Sequence, residues 1–428
     1  MGVVSSMSTA ISGLEANGEM LSVISDNIVN ANTTGFKSSR TEFNSLVASD
    51  LMQASGGEQI GQGARAAGIT SLFTQGSLTR TNRATDMAIN GTGFFVVKGD
   101  NGTAYTRDGS FRFDKDGWMT TLSGHRVQAY RATPDGKIGG RMEDVRLDFK
   151  AIPAKATAKV DMFVNLDARM PPGTALNLDY PEESSQFTTA MQVYDSVGNA
   201  HSVSLYFNRT TEANWEWYAM VDGSELNGGT NGKAEAISKG TLTFDQTGKL
   251  MSSDQQVLNT SFSGGAIPDQ ALEFNFGDPI DKEGTGQKGT TQYGSNNVTF
   301  RNTQDGYSAG TLSDTIVDSD GIISGVYSNG ENRLLGQMAV ARFDATEKLA
   351  KVGNNQFIET PQSGQPLAGK PKTNGRGAIQ TRSLEHSNVD LASEFVEMIR
   401  AQRGFQASAK SITSADQMLE EVINLRGR

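Results

Sequence analysis

The chain contains no cysteine among its 428 residues. That excludes a disulfide framework, a thiolate metal site and a cysteine nucleophile. Histidine is nearly as scarce, with only His125, His201 and His386. None has a second histidine at metal-ligand spacing and none stands beside a serine in a nucleophile-elbow context, so structural roles are expected for all three. No run of 18 apolar residues occurs, so no membrane insertion is expected. The opening stretch MGVVSSMSTAISGLEANGEM lacks a basic region, a continuous apolar core and a small-residue cleavage site. A cleaved signal peptide is therefore not expected, and export would need another route. Positive charge is also short. Lys and Arg number 38 against 48 Asp and Glu, a net charge of -10, and no basic cluster tracks a phosphate backbone, which argues against nucleic-acid binding. Proline is rare at 10 residues while glycine reaches 48, a balance that suits a β body with many tight turns. The length suggests two or three domains.

What is present is concentrated at the two ends. Residues 5–30 and 388–426 both read as amphipathic helices with a seven-residue repeat. The N-terminal repeat positions are Met7, Ile11, Leu14, Gly18, Leu21, Ser25 and Ile28. The C-terminal ones are Leu391, Phe395, Met398, Gln402, Phe405, Ala409, Ile412, Asp416, Leu419 and Ile423. So narrow a stripe is a seam for another helix, either the opposite terminus or a copy of itself. Polar residues such as Asn17, Ser22, Asp26 and Asn27 interrupt it, so these helices are marginal alone and their ordering is expected to be coupled to assembly. Ser5 or Ser8 can cap the first helix, Gly35 is placed for a left-handed stop, and Ser387-x-x-Asp390 reads as a capping box for the last helix. Gly404 interrupts that helix at a cost of about 1 kcal/mol relative to Ala.

The interior reads almost entirely as β. Asn90-Gly91, Asn101-Gly102 and Asp116-Gly117 are hairpin signals around Phe94-Phe95-Val96-Val97 and Phe111-Arg112-Phe113. A second set of strands alternates through Val203, Leu205 and Phe207, then Trp215, Trp217, Ala219 and Val221. The stretch 305–385 resembles the first set in texture and is expected to complete it. The fold class expected is therefore mixed α and β and multidomain, with paired, coiled-coil-like terminal helices and two mainly antiparallel β domains, nested. The terminal domain takes 1–70 and 385–428, the middle domain 71–149 and 303–384, and the outer domain 150–302. A glycine-rich connector at 54–63 is expected to link the layers.

No pattern completes a catalytic, cofactor or metal site. Asp114-x-Asp116-Gly117 and Asp318-x-Asp320-Gly321 begin like calcium loops but lack the closing glutamate, and Asp-Gly is the ordinary hairpin signal. Gly91-Thr92-Gly93 and Gly61-Gln62-Gly63 do not complete a dinucleotide fingerprint. Trp215, Trp217 and Tyr218 can be drawn as a sugar platform, but their period of two favours a strand face.

Two long motifs are specific. The first is Ile24-Ser25-Asp26-Asn27-Ile28-Val29-Asn30-Ala31-Asn32-Thr33-Thr34-Gly35-Phe36-Lys37. The second is Ser387-Asn388-Val389-Asp390-Leu391 with Met398-Ile399-x-Ala401-Gln402-Arg403-Gly404-Phe405-Gln406. Together they resemble the two ends of the bacterial flagellar rod and hook family. Ala88 to Phe95 is similar to the start of that family's shared middle domain, and Val193 to His201 to part of an outer domain. Val29 departs from the small alanine usual there. The large central insertion favours the hook branch of the family over a distal rod protein or another axial component. The resemblance implies a non-enzymatic subunit without cofactors. It would polymerise with itself into a curved tubular joint that passes torque from rod to filament. It would meet a distal rod protein, a hook cap and hook–filament junction proteins, and would reach the outside of the cell through the flagellar type III apparatus. It also marks Asn27, Asn30, Asn32, Thr34, Gly35, Phe36, Asn388, Asp390, Gln402 and Arg403 as family positions.

Overall fold

Both terminal segments are helical, Gly2–Val29 and Leu391–Arg426, in a computed structural model that describes residues 2–47, 61–100, 102–133, 136–147, 151–258 and 260–426. The C-terminal helix is capped by Asp390, whose Oδ1 accepts from the Ala392 amide at 3.0 Å. This corrects the capping-box expectation. Because the helix begins at Leu391, Asp390 itself occupies the capping position, and Ser387 Oγ accepts only from Val389 N, before the helix starts. The N-terminal helix ends in a series of turns that leads to Gly35 at φ +69°. A Cβ at Gly35 would stand 2.5 Å from the Asp108 amide nitrogen, so both the backbone conformation and the close approach require glycine.

The segment after the helix is not a featureless connector. Ser39–Val47 and Gly61–Ser71 pair as an antiparallel hairpin with Thr41 opposite Ile69. Two register shifts break the period-two signal there, which explains why the sequence reads as irregular. The hairpin lies close to the N-terminal helix at Gly63, where a Cβ would meet Ser12 Oγ at 2.0 Å. Positions 54–60 of the expected glycine-rich connector lie outside the described residues.

The chain forms two compact units. One comprises Met1–Asp148, Asp314–Val326 and Asn332–Arg428, the other Phe149–Ser313 and Tyr327–Glu331. In the first unit the apolar run Phe94-Phe95-Val96-Val97 sits in a strand, Phe94–Gly99, that pairs with Gly102–Thr106 and Arg126–Ala132. Alternate residues point to opposite faces of a strand. Phe95 and Val97 therefore pack with Met87, Ile89, Phe111 and Met338 on one side. Phe94 and Val96 pack with Tyr105, Phe343 and Phe357 on the other. A sheet covered on both faces explains why this strand is continuously apolar rather than alternating. The returning strand Asn332–Met338 joins the same sheet, with Gln337 opposite Tyr130.

The second unit has a five-stranded antiparallel meander from Phe187–Tyr194 to Leu250–Val257, each strand paired with its sequence neighbour, and a three-stranded sheet built on Lys159–Asn165. Trp215 and Trp217 are fully buried in its core. Gly240 makes room for one of them, since a Cβ there would meet Trp217 Nε1 at 2.7 Å. The two tryptophans are thus core residues on a strand face, as their period of two suggests, and not a sugar platform.

Candidate assembly surface

The family motifs converge where the terminal helices join the β structure. Asn27 is buried at the end of the N-terminal helix and pairs with the Ser39 backbone like a strand. Its Nδ2 donates to Ser39 O at 2.8 Å and its Oδ1 accepts from Ser39 N at 2.9 Å. The same Nδ2 donates to Glu394 Oε1 at 3.0 Å, which ties both helices to one residue. Asn388 does the same work from the other terminus, accepting from Ser38 N and donating to Leu72 O, each at 2.8 Å. Asn30 Nδ2 donates back to Asp26 O at 2.9 Å, and the Thr34 carbonyl accepts from Asn355 Nδ2 at 2.8 Å. Phe36 is buried, with Lys351 Nζ 5.2 Å from its ring centroid. Asn32, Gln402 and Arg403 are exposed.

Below this junction lies a buried ion cluster that sequence reasoning did not single out. Glu385 accepts from Lys37 Nζ at 2.6 Å and from Arg107 Nη1 at 3.2 Å, and all three side chains are buried. Glu385 Oε1 also accepts from Gly76 N at 2.9 Å. Lys37 Nζ donates to the Thr74 carbonyl, and Arg107 Nη2 to the Gly91 carbonyl, both at 2.7 Å. Burial lowers the Lys37 pKa, and the Glu385 charge opposes that shift. The cluster gathers residues from three distant segments. Its only sequence signal is that Lys37 and Glu385 adjoin the two family motifs.

The two terminal helices pack antiparallel. Gly13 lies against Ser408, Gly404 against Asn17, and Asn27 against Glu394. Glu394 is held above the usual carboxylate range, chiefly by burial and further by Glu397 and Asp390, while the Asn27 hydrogen bond opposes the shift. Small residues allow close approach, because the axial separation of packed helices follows the size of the side chains between them. Buried positions are Ala10, Ala16, Val23 and Ile24 on one helix and Ala401 and Ala415 on the other.

The heptad residues read from sequence are not among these fully buried positions. Met7, Leu14, Leu21, Ile28, Met398, Ile412 and Leu419 are half-buried, while Ile11, Leu391, Phe395 and Phe405 are exposed. The side chain of Ile423 lies outside the described residues. On the C-terminal helix, Phe395, Val396 and Ile399 are each 50% exposed. These side chains form an outward apolar face far richer than isolated surface hydrophobics would give.

The other chemical groups are tied into local structure. In the second unit, His201 Nδ1 faces Glu225 Oε2 at 2.9 Å and Nε2 faces Asp195 Oδ2 at 3.2 Å, with the ring stacked on Phe262. Asp195 Oδ1 in turn accepts from the amides of Val197, Gly198 and Asn199, which fixes the turn. Asp114 and Asp318 also bond to amides two and four residues on, so both Asp-x-Asp-Gly stretches are turns closed by their own carboxylates.

Comparison with known proteins places the chain among flagellar axial proteins. Family models match along its length: Flagella basal body rod protein over 7–37, Flagellar hook protein FlgE/F/G D1 domain over 88–162, Flagellar basal body protein FlaE D2 domain over 165–307, and Flagellar basal body rod FlgEFG protein C-terminal over 380–425. The chain is 35% identical to flagellar hook protein FlgE of Escherichia coli over 428 residues, covering 98% of this chain and 99% of the relative. It is 33% identical to flagellar hook protein FlgE of Treponema pallidum over 462 residues, with the same coverage. Its fold is similar to the crystal structure of Helicobacter pylori flagellar hook protein FlgE2, with a TM-score of 0.52 and 14% identity, covering 72% of this chain and 100% of that one. A mostly β multidomain chain with helical termini and these motifs defines an axial component of the bacterial flagellum. The chain belongs to the flagellar hook protein family. Its role is that of a structural subunit of the hook, and the distal-rod alternative is set aside.

Proposed function

We propose that copies of the chain polymerise through the outward apolar face of the terminal helices into the curved tube that passes torque from rod to filament. The observation that carries this is the exposure of Leu391, Phe395, Val396, Ile399, Phe405 and Met418 in a chain whose helices are already paired. Each is about half-exposed, so completing its burial contributes roughly 1 kcal/mol, and a repeating face of six such side chains favours association. Met7, Ile11, Leu14, Leu21, Ile28, Leu391, Phe395, Met398, Phe405, Ile412, Leu419 and Ile423 would supply a coiled-coil-like seam between copies. The motif asparagines would hold each helix pair at a fixed angle to its β structure. The three-part division of the chain into terminal, middle and outer domains belongs to the same reading, with the helices innermost. Export by the flagellar type III route, and contacts with the distal rod protein, hook cap and junction proteins, complete it. The role is structural, without catalysis.

The test is assembly of the purified chain, followed by sedimentation and electron microscopy. Phe395→Asp or Phe405→Asp would place a charge in the seam and should abolish tubes while leaving the melting of the β structure unchanged. Tubes formed at wild-type concentration by either variant would refute the seam.

A further inference from the structure

We propose that a basic groove in the first unit receives an acidic knob from the second unit of another copy of this chain. The groove is lined by Arg80, Arg382, Thr81, Asn82 and Asn90, and its volume is about 660 Å³. Among the described residues, no carboxylate lines it. Among the described residues, the guanidiniums of Arg80 and Arg382 have no hydrogen-bond or ion-pair partner. Their neighbours differ: Lys372 is paired with Asp320 at 2.7 Å, and Arg83 lies 3.9 Å from Asp86. Two further features set the groove apart. Arg382 sits at φ +51°, a left-handed conformation in which its Cβ crowds the carbonyl oxygen, and its carbonyl accepts from Thr81 N at 2.7 Å. Thr81 Oγ1 is buried without a partner. Two free guanidiniums in the lining of one groove give it the charge and the donors to receive an anionic partner.

The complementary surface is on the same sequence. Asp179, Tyr180, Glu182 and Glu183 flank and form the short helix Pro181–Ser184. Tyr180 is 64% exposed, and Leu178 beside it is also exposed. Asp179 is paired with Lys233 at 3.0 Å, whereas Glu182 and Glu183 have no ion-pair partner among the described residues. Guanidinium groups match carboxylates with two parallel hydrogen bonds and also stack on aromatic rings, so two arginines suit this knob better than two lysines would. Because groove and knob are different surfaces of one chain, the contact is heterologous. A heterologous contact that does not close on itself propagates as a helical filament. The proposal rests on the self-assembly reading above and adds a second, polar contact to it.

The experiment uses the full chain and measures the critical concentration for polymer formation by sedimentation. Three altered chains are compared with the unaltered one: Arg80→Glu with Arg382→Glu, Glu182→Arg with Glu183→Arg, and all four changes together. Each pair alone should raise the critical concentration about tenfold, and the combined chain should return to within about threefold of the unaltered one. All these positions are at the surface, and equal melting temperatures would verify that the altered chains fold. A neutral pair, Arg80→Gln with Arg382→Gln, should also flatten the salt dependence of assembly. A critical concentration unmoved by either reversal, or no recovery in the combined chain, would overturn the contact. So would orthophosphate binding that the neutral pair abolishes without changing assembly, since the groove would then hold a free anion. An unaltered chain that forms no polymer would instead refute the assembly reading itself.

Discussion

Replacing Glu385 with glutamine keeps the size of the side chain and removes its charge. Lys37 and Arg107 would then remain buried with no counter-ion, because the groups around them, the carbonyls of Thr74, Ile89 and Gly91, are neutral. Removing one partner of a buried ion pair costs about 3–5 kcal/mol, and here one carboxylate serves two cations. For a folded unit of this size each kcal/mol lowers the melting temperature by about 2–4 °C, so the first unit should melt roughly 6–20 °C lower. Calorimetry would report the shift, and hydrogen exchange would localise it to the amides of Ser38 and Gly76. The second unit should melt as before, which provides an internal control. The pH dependence adds a sign. Lys37 has a folded pKa below its unfolded value, so between the two the unfolded chain binds more protons and stability rises with pH. Loss of the Glu385 charge removes an influence that raises the Lys37 pKa, so part of the deficit in Glu385→Gln should be recovered in alkaline buffer. A shift below about 2 °C would refute a stabilising role for the ion cluster.

Other perturbations follow from the same geometry. Gly35→Ala forces a side chain into a left-handed backbone and against the Asp108 amide, so it should cost more than about 2 kcal/mol in denaturant unfolding of the first unit. Two helical glycines should respond in opposite directions. Among the described residues, nothing lies within 4 Å of a Cβ added at Gly18, so Gly18→Ala should stabilise by about 0.5–1 kcal/mol. Gly404→Leu meets Asn17 at 2.7 Å already at Cβ, so it should spread the helix pair and lower the melting temperature despite better helix propensity. The raised pKa of Glu394 means that the folded chain binds the extra proton, so helix docking should weaken as pH rises from mildly acid to neutral. Glu394→Gln should remove that dependence, as followed by hydrogen exchange of the C-terminal helix.

Much of the β structure was legible because its signals are local. Asp-Gly and Asn-Gly turns fall beside strands whose alternation matches a half-buried face, as in Val203, Leu205 and Phe207. The hairpin of Ser39–Val47 and Gly61–Ser71 was not legible, since its bulges break the alternation and Phe43 and Ile69 are exposed. The helix pair shows a different limit. Periodicity marks apolar residues, so it picked out Phe395 and Phe405, whereas the contact within the chain uses Gly13, Asn17, Gly404 and Ser408. A small-residue interface leaves almost no hydrophobic trace. The ion cluster escaped for a third reason: Lys37, Arg107 and Glu385 are brought together only by the tertiary fold, and each alone resembles an ordinary surface charge.

The most direct test is a high-resolution electron-microscopy reconstruction of tubes assembled from the full chain. In these tubes Leu391, Phe395, Ile399 and Phe405 should be buried against the helices of a neighbouring copy while the Gly13–Ser408 and Gly404–Asn17 contacts within each chain persist. Tubes in which that apolar face is turned to solvent, with the copies held only by their β structure, would contradict the seam between copies.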